Sequence, residues 1–290
     1  MRINVKKRYF FVFAALLLLF LTACGFSYVD EDGNSFSVHY IDVGQGDAEL
    51  ICFPDGDVML IDAGPKNNAE KLVEYLKAQK IKKIDYVVLT HPHTDHIGGM
   101  CAVLDNFKVL NIYMPKIPED NIPTNETYQE TIKALIDKKI NVVEPIAGEC
   151  IKEDSIASVK ILAPHKKVYN NLNNYSIVLR IKCDDMAFIF MGDAEEKSEE
   201  EIMKKCYEIK SDVIKCGHHG SKTSSDRKFL KRVKPKFAII SCERNNSYGY
   251  PNRNLLGRLR NMGVEVYRTD LNGNIVFKKE EEKCLITVDK

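Results

Sequence analysis

Five of the chain's seven histidines fall in two short loops. His91-Pro92-His93-Thr94-Asp95-His96 follows one apolar run, and Gly217-His218-His219-Gly220-Ser221 follows another. Extended residues two apart point to the same side, so His91 and His93 can present two imidazoles to one cation. Asp95 and His96, just past them in a turn, can face a second cation. Imidazole with carboxylate suits Zn²⁺, Mn²⁺ or iron and does not suit Ca²⁺. Gly98 and Gly99 read as letting the backbone turn tightly into the next helix. The remaining histidines, His39 and His165, read as structural or surface residues.

Positioning these loops requires a scaffold, and the apolar pattern supplies one. Residues 37–43, 49–53 and 58–61 read as strands, with Pro54-Asp55-Gly56-Asp57 as the turn of a hairpin. Apolar positions 69, 72, 73, 76 and 79 recur at helical spacing and predict a helix over 68–80. Residues 85–90 form a continuous buried strand that runs directly into the first histidine loop. A strand over 109–114, a helix over 126–139 and a strand over 141–145 follow. The second half repeats this alternation. Strands are expected over 175–183, 186–191, 212–216, 237–242, 264–268 and 275–278, with helices over 195–207, 226–233 and 252–262. Ligands collect at the carboxyl edge of strands in α/β sheets, so both histidine loops belong on one rim. Strand-rich halves with helices outside predict one α/β domain of sandwiched layers over 36–290.

At 290 residues and 44% hydrophobic content, the chain can bury a substantial core. A formal net charge of +1 gives no global drive toward nucleic acid or an anionic membrane. Basic residues cluster locally at 227–234 and around Arg253, Arg258 and Arg260, either as solvated helix faces or as a rim for an anionic substrate. Residues 1–24 have the form of a secretory signal, with Arg2, Lys6, Lys7 and Arg8 ahead of an apolar run too short to span a membrane comfortably. The segment ends Leu21-Thr22-Ala23-Cys24, which resembles a bacterial lipobox and implies a lipid anchor at Cys24. Residues 25–35 read as a tether, placing the domain outside the cytoplasm at the membrane. Eight cysteines remain beyond Cys24, scattered without a CxxC pair, and are expected to be mostly reduced core residues.

The motifs together resemble a family. His91-x-His93-x-Asp95-His96 after a buried strand, preceded by Ile61-Asp62-Ala63-Gly64, is similar to the paired signature of the metallo-β-lactamase superfamily, an αββα four-layer sandwich. Asp42-Val43-Gly44-Gln45-Gly46-Asp47-Ala48, Ser176-Ile177-Val178-Leu179-Arg180, Met191-Gly192-Asp193, Gly217-His218-His219-Gly220-Ser221 and Tyr267-Arg268-Thr269-Asp270 resemble the hydrolase domain of ComEC-type competence proteins. The resemblance runs from about residue 36 to 278, as a stand-alone relative on a lipid anchor. It implies that His91 and His93 hold one metal, Asp95 and His96 the other, and that Asp193 bridges them. Asp62 would orient a ligand or the attacking water. His218 and His219 would complete the site, one as ligand and the other as ligand or proton donor. Asp47 would sit near the site or serve a turn.

Two departures mark this chain. β-Lactamases proper carry another histidine ahead of the Asp193 strand, where this chain has Asn173-Asn174-Tyr175-Ser176. ComEC-type members usually have Gly-His-Pro where Gly249-Tyr250-Pro251 stands.

Two divalent ions, Zn²⁺ or Mn²⁺, with no organic cofactor, would lower the pKa of water toward about 7 and clamp attacking and leaving oxygens. That chemistry predicts a metal-dependent phosphodiesterase acting on DNA or on a phosphodiester of the cell envelope. An ester or lactone hydrolase stays open. So does a lipoprotein that binds its substrate without turning it over, with Tyr250 as the first sign of a decayed site.

Overall fold

The computed structural model describes residues 35–280 and 283–290. The signal segment, Cys24 and residues 25–34 of the tether lie outside the described residues. Among the described residues no helix is long and apolar enough to cross a membrane.

Two mixed sheets carry the fold. The first has the order β15-β14-β1-β2-β3-β4-β5-β6. Its strands are β1 (Ser37–Tyr40), β2 (Glu49–Cys52), β3 (Val58–Ile61), β4 (Lys83–Val88), β5 (Lys108–Tyr113), β6 (Asn141–Val143), β14 (Ile275–Glu280) and β15 (Lys283–Val288). The second, ordered β13-β12-β11-β10-β9-β8-β7, comprises β7 (Cys150–Glu153), β8 (Ala157–Ala163), β9 (Val178–Cys183), β10 (Met186–Phe190), β11 (Val213–Lys215), β12 (Phe237–Ile240) and β13 (Glu265–Arg268).

Alternation along the strands explains the layering. Ile51, Met59 and Ile61 point between the sheets, where they meet Ile161, Leu179, Phe188 and Phe190. Their neighbours Leu50, Val58 and Leu60 point the other way, onto helices α1 (Ala69–Ala78), α3 (Met100–Asn106) and α4 (Glu126–Asp137). On the second sheet Ile189, Ile214 and Ala238 face outward onto α5 (Glu196–Lys204), α6 (Arg227–Val233) and α7 (Arg253–Asn261). The result is helix, sheet, sheet, helix, the four-layer sandwich that the motifs imply. Asn125, Asp226 and Asn252 start α4, α6 and α7 by accepting a backbone N–H with the side chain.

Several local expectations needed correction. β7 and β8 were not anticipated, whereas β15 holds the apolar, strand-like run around Cys284. Gly98 and Gly99 have ordinary helical φ, −61° and −82°, around the short helix α2 (Thr94–Ile97). Their lack of a side chain matters for another reason: a Cβ at Gly99 would stand 2.2 Å from the Ala63 carbonyl oxygen. Among the described residues Cys101, Cys150, Cys183, Cys206, Cys216, Cys242 and Cys284 are free thiols. Cys183, Cys216 and Cys242 are core residues, whereas Cys150 and Cys206 are exposed and Cys284 sits half-buried on an edge strand.

Candidate metal centre

Parallel strands end on one edge, and the polar loops that follow them converge there. β3 delivers Asp62, β4 delivers residues 90–96, β10 delivers Asp193, and β11 delivers His218 and His219. Asp193 is the meeting point. Its Oδ1 lies 3.3 Å from His96 Nε2 and 3.5 Å from His219 Nε2. Its Oδ2 lies 3.7 Å from His91 Nε2 and 3.8 Å from His218 Nε2. His93 Nδ1 joins the second group at 2.9 Å from His91 Nε2. One carboxylate therefore turns each oxygen to a different set of imidazoles.

His96 Nε2 and Asp193 Oδ1 are both buried, face each other, and make no hydrogen bond. A buried lone pair beside a buried carboxylate oxygen is costly unless something positive stands between them. The donor types, imidazole and carboxylate, fit a divalent transition metal at this point. Ligand atoms of His91, His93 and Asp193 lie within 4.8 Å of one another, as do those of Asp47, His96, Asp193 and His219. Asp95 Oδ2 approaches the second set at 3.2 Å from His219 Nε2 and 3.9 Å from His96 Nε2.

Acidic groups stand behind the imidazoles and select the nitrogen that faces inward. Asp62, fully buried with φ of 56°, accepts from Thr90 N at 2.8 Å, Thr90 Oγ1 at 2.7 Å and His96 Nδ1 at 2.7 Å. It thus backs His96 from the side away from Asp193. Thr90 Oγ1, its proton committed to Asp62, is left to accept from His91 Nδ1 at 3.1 Å. His219 Nδ1 bonds the Ser241 carbonyl at 3.1 Å with Asp47 Oδ1 behind it at 3.3 Å, while Nε2 of the same ring faces Asp95 and Asp193. For that reason Asp47 is better placed to orient the ring than to share its cation. Lys215 Nζ, itself buried, bonds Asp47 Oδ2 at 2.6 Å. Glu195 Oε1 stands 3.3 Å from His218 Nδ1.

Protonation follows this arrangement. Burial, then the charge of His96, holds His91 far below the usual histidine range, and burial likewise lowers His93. Both keep free lone pairs near neutral pH. Burial would also lower His219, but Asp193 and Asp47 outweigh it and push it up to about 10. His96 rises for the same reason, against its burial, through Asp193 and Asp62. Burial raises Glu49, next to Asp47 on the chain's second strand, well above the carboxylate range, and Asp47 adds to the rise. To hold a cation, His96 and His219 would have to give up those protons.

Backbone geometry supports the same point. His218 and His219 both have positive φ, 49° and 50°, a conformation uncommon for residues with side chains and concentrated at functional sites. At Gly46 a Cβ would fall 2.2 Å from the Asp95 carbonyl oxygen, so only glycine lets the Asp47 loop close on the first histidine loop.

The asparagine loop that stands where β-lactamases proper have a histidine is built into the centre differently. Ser176 Oγ accepts from Asp193 N at 3.0 Å, Asn174 Oδ1 from Glu195 N at 3.3 Å, and Asn173 Nδ2 lies 3.3 Å from His218 Nδ1. Tyr250 Oη sits 3.4 Å from His218 Nε2, in the mouth of the centre, and its ring stacks on the exposed Tyr248 at 5.6 Å. The mouth is a cavity of about 380 Å³ that also includes Gln45, Thr94 and Asn125, and among the described residues no Lys or Arg lines it. The basic cluster at 227–234 and Arg258 therefore stand away from it, and Arg258 instead donates to the Ser225 carbonyl behind the second loop. Thr90, Glu195 and Lys215 were not singled out from the sequence. Lys215 carries no local signal, since its role depends on Asp47, 168 residues away.

Residues 41–243 match the family model described as the metallo-beta-lactamase superfamily. The chain is 31% identical to ComE operon protein 3 of Bacillus subtilis (strain 168), over 91% of this chain and 34% of that protein. It is 30% identical to competence protein ComA of Neisseria gonorrhoeae, over 84% of this chain and 32% of the relative. It thus spans about a third of the length of these relatives. Among solved structures, Igni18, a metallo hydrolase from Ignicoccus hospitalis, aligns with TM-score 0.52 at 18% identity, covering 84% of this chain and all of that one. CmlA, a diiron beta-hydroxylase from Streptomyces venezuelae, aligns with TM-score 0.55 at 13% identity, covering 85% of this chain and 54% of its own. At such identities these two alignments speak to the fold alone.

Proposed function

Because the chain belongs to the metallo-β-lactamase superfamily, we propose that it is a two-metal hydrolase of phosphodiester bonds, working outside the cytoplasm from a lipid anchor at Cys24. The observation that carries this reading is the Asp193 carboxylate, with one oxygen toward His96 and His219 and the other toward His91 and His218. His91, His93 and Asp193 would hold one cation, and Asp95, His96, Asp193 and His219 the other. Bound there, two Zn²⁺ or Mn²⁺ ions supply Lewis acidity toward phosphoryl oxygens and make water acidic enough to attack near neutral pH.

The chain's own residues do the rest. Asp62 holds His96, and the Ser241 carbonyl with Asp47 behind it holds His219, as neutral donors through Nε2. Glu195 accepts the His218 Nδ1 proton, which leaves Nε2 and its neighbour Tyr250 Oη to manage the proton of the leaving oxygen. A mouth without lysine or arginine leaves the balancing of phosphate charge to the cations. The names of the relatives, competence proteins among them, favour nucleic acid as the substrate over an envelope phosphodiester. The complete donor set argues against a lipoprotein that only binds.

The test uses the full-length protein, stripped of metal and reloaded with Mn²⁺ or Zn²⁺, on single-stranded DNA and on bis(p-nitrophenyl) phosphate. The expected result is cleavage of both that requires metal and is lost in His93→Ala. Cleavage of the small ester alone would move the substrate to the envelope. No turnover of either by metal-loaded protein would end the phosphodiesterase reading.

A further inference from the structure

A second concavity, larger than the mouth of the metal centre, opens on the same edge of the sandwich. It measures about 550 Å³, within the range of ligand sites. Three loops wall it, each at the carboxyl end of a strand: residues 115–118 after β5, 144–147 after β6, and 164–168 after β8. In one sheet β6 lies two strands from β4, which delivers the first histidine loop. In the other, β8 lies two strands from β10, which delivers Asp193. Neighbouring strands are about 4.8 Å apart, so the crevice sits about 10 Å along the edge from the metal centre in both sheets.

One segment joins the two places. Residues 164–168 line the crevice, and the same loop continues to Asn173, beside His218, and to Ser176, which holds Asp193 N. The loop is pinned between them. Tyr169 Oη accepts from His165 N and Lys166 N at 3.0 Å and donates to Glu201 at 2.7 Å, while Tyr175 Oη accepts from Tyr169 N at 2.9 Å.

The chemistry of the crevice complements that of the mouth. Lys116, Lys166, Lys167 and Lys205 line it against a single acidic residue, Glu144. Of these lysines, Lys166 pairs with Glu201 at 3.1 Å, and no ion pair occupies the other three among the described residues. Prolines 115, 145 and 164 and the ring of Tyr207 give it an apolar floor. His165 stacks on that ring at 5.7 Å, and its Nε2 is buried without a hydrogen-bond partner. Burial, followed by the nearby Lys205, keeps this ring neutral. Lysines suit phosphates, and apolar and ring faces suit sugars and bases.

We propose that this crevice is a second subsite, which holds a phosphate-bearing stretch of single-stranded nucleic acid a short distance along the strand from the bond at the metal centre. The inference rests on the phosphodiesterase reading but concerns binding, so it can be measured without turnover. The full-length, metal-free protein would be titrated into fluorescein-labelled dT12 and followed by anisotropy over a range of salt. Lys116→Ala/Lys167→Ala/Lys205→Ala should weaken binding at least tenfold. The same variant should flatten the log–log salt dependence by about 2, since each lost phosphate contact is worth roughly 0.7 on a single strand. Metal-loaded, it should keep the wild-type rate on bis(p-nitrophenyl) phosphate, which is too small to reach the crevice, and lose rate on dT12. Charge reversal at Lys167→Glu alone should weaken binding in the same direction. Unchanged dT12 affinity and salt slope in a triple variant that melts like wild type would overturn the subsite. So would wild-type protein that ignores dT12 and binds poly(glycerol phosphate) instead. Binding that depends on the crevice without any cleavage would leave the subsite standing and remove the catalytic reading.

Discussion

The two halves of the metal centre are built to different standards. In the inner half, His96 and His219 are sealed from solvent and each is backed by a buried acid, Asp62 and Asp47, the latter fastened by the buried Lys215. In the outer half His91 is sealed as well and bonded to Thr90, but His93 is partly exposed, with His91 its one side-chain neighbour at bonding distance among the described residues. His218 is 21% exposed, and its supporting acid, Glu195, is 16% exposed. Supporting carboxylates fix ring orientation and raise ligand basicity. The comparison teaches that the inner half is preorganised by the core, whereas the outer half is free to adjust to substrate and to exchange its cation. Metal titrated into stripped protein should accordingly fill the centre in two separable steps, inner first.

The largest effect should come from removing what the halves share. Asp193→Ala is expected to lower metal content from two ions per chain to below one and to cut hydrolysis by more than the roughly 100-fold that a supporting residue commands. Elemental analysis and rate measured on the same sample check this. Retention of both ions would break the shared-carboxylate picture.

Next come the supports. Asp47→Ala should weaken the inner metal by about 10- to 100-fold and spare the outer half, Asp62→Ala should weaken the inner metal equally and also loosen His91 through Thr90, and Glu195→Ala should touch only the outer half. Competition with a chromophoric chelator reads the two affinities. Equal losses at both halves from Glu195→Ala would erase the distinction.

The halves should also give opposite pH slopes in metal-free protein. His219 has a folded pKa of about 10, above its ordinary value, so its stabilisation is complete below about pH 6.5 and is lost as pH rises toward 10. His91 is lowered, so its contribution is present above about pH 6.5 and is lost as pH falls. Each can contribute at most about 1.4 kcal/mol per pH unit. Urea unfolding at pH 6 and pH 8.5 should show His219→Gln flattening the alkaline limb and His91→Gln the acidic one. A variant that leaves its limb unchanged would refute the assignment for that histidine.

The smallest effect belongs to Tyr250. Tyr250→Phe should lower turnover only a few-fold, as one proton carrier beside His218 is lost, while Tyr250→His should tighten the outer cation by about tenfold through an added imidazole. Isothermal titration with Zn²⁺ distinguishes them. A loss of the inner metal in either variant would place Tyr250 in the wrong half.

Much of this was legible in residue order. His91, His93, Asp95 and His96 sit within six residues, so local spacing alone brings them together, and continuous apolar runs in residues 58–61 and 186–190 announce buried strands. Asp193 and the His218-His219 pair could be named because short motifs surround them. β7 and β8 could not, because charged residues break the apolar signal: Lys152 and Glu153 on the edge strand β7, and Lys160 on β8, an inner strand that is otherwise largely buried. The glycines at 98 and 99 were legible as special, but the reason, contact with Ala63 and Lys66 across a loop, was not.

Residue types and spacing by themselves determined the donor set and the chemistry open to it, because imidazole and carboxylate keep their preferences wherever they sit. Only the tertiary structure decided which nitrogen of each ring faces the centre and which acid stands behind it. It likewise decided that Lys215 neutralises Asp47 and that a lysine-lined crevice shares an edge with the metal centre. Those relations join residues as far apart in sequence as Asp47 and His219, and they exist only when two sheets, each ordered by its own crossovers, set their carboxyl ends side by side.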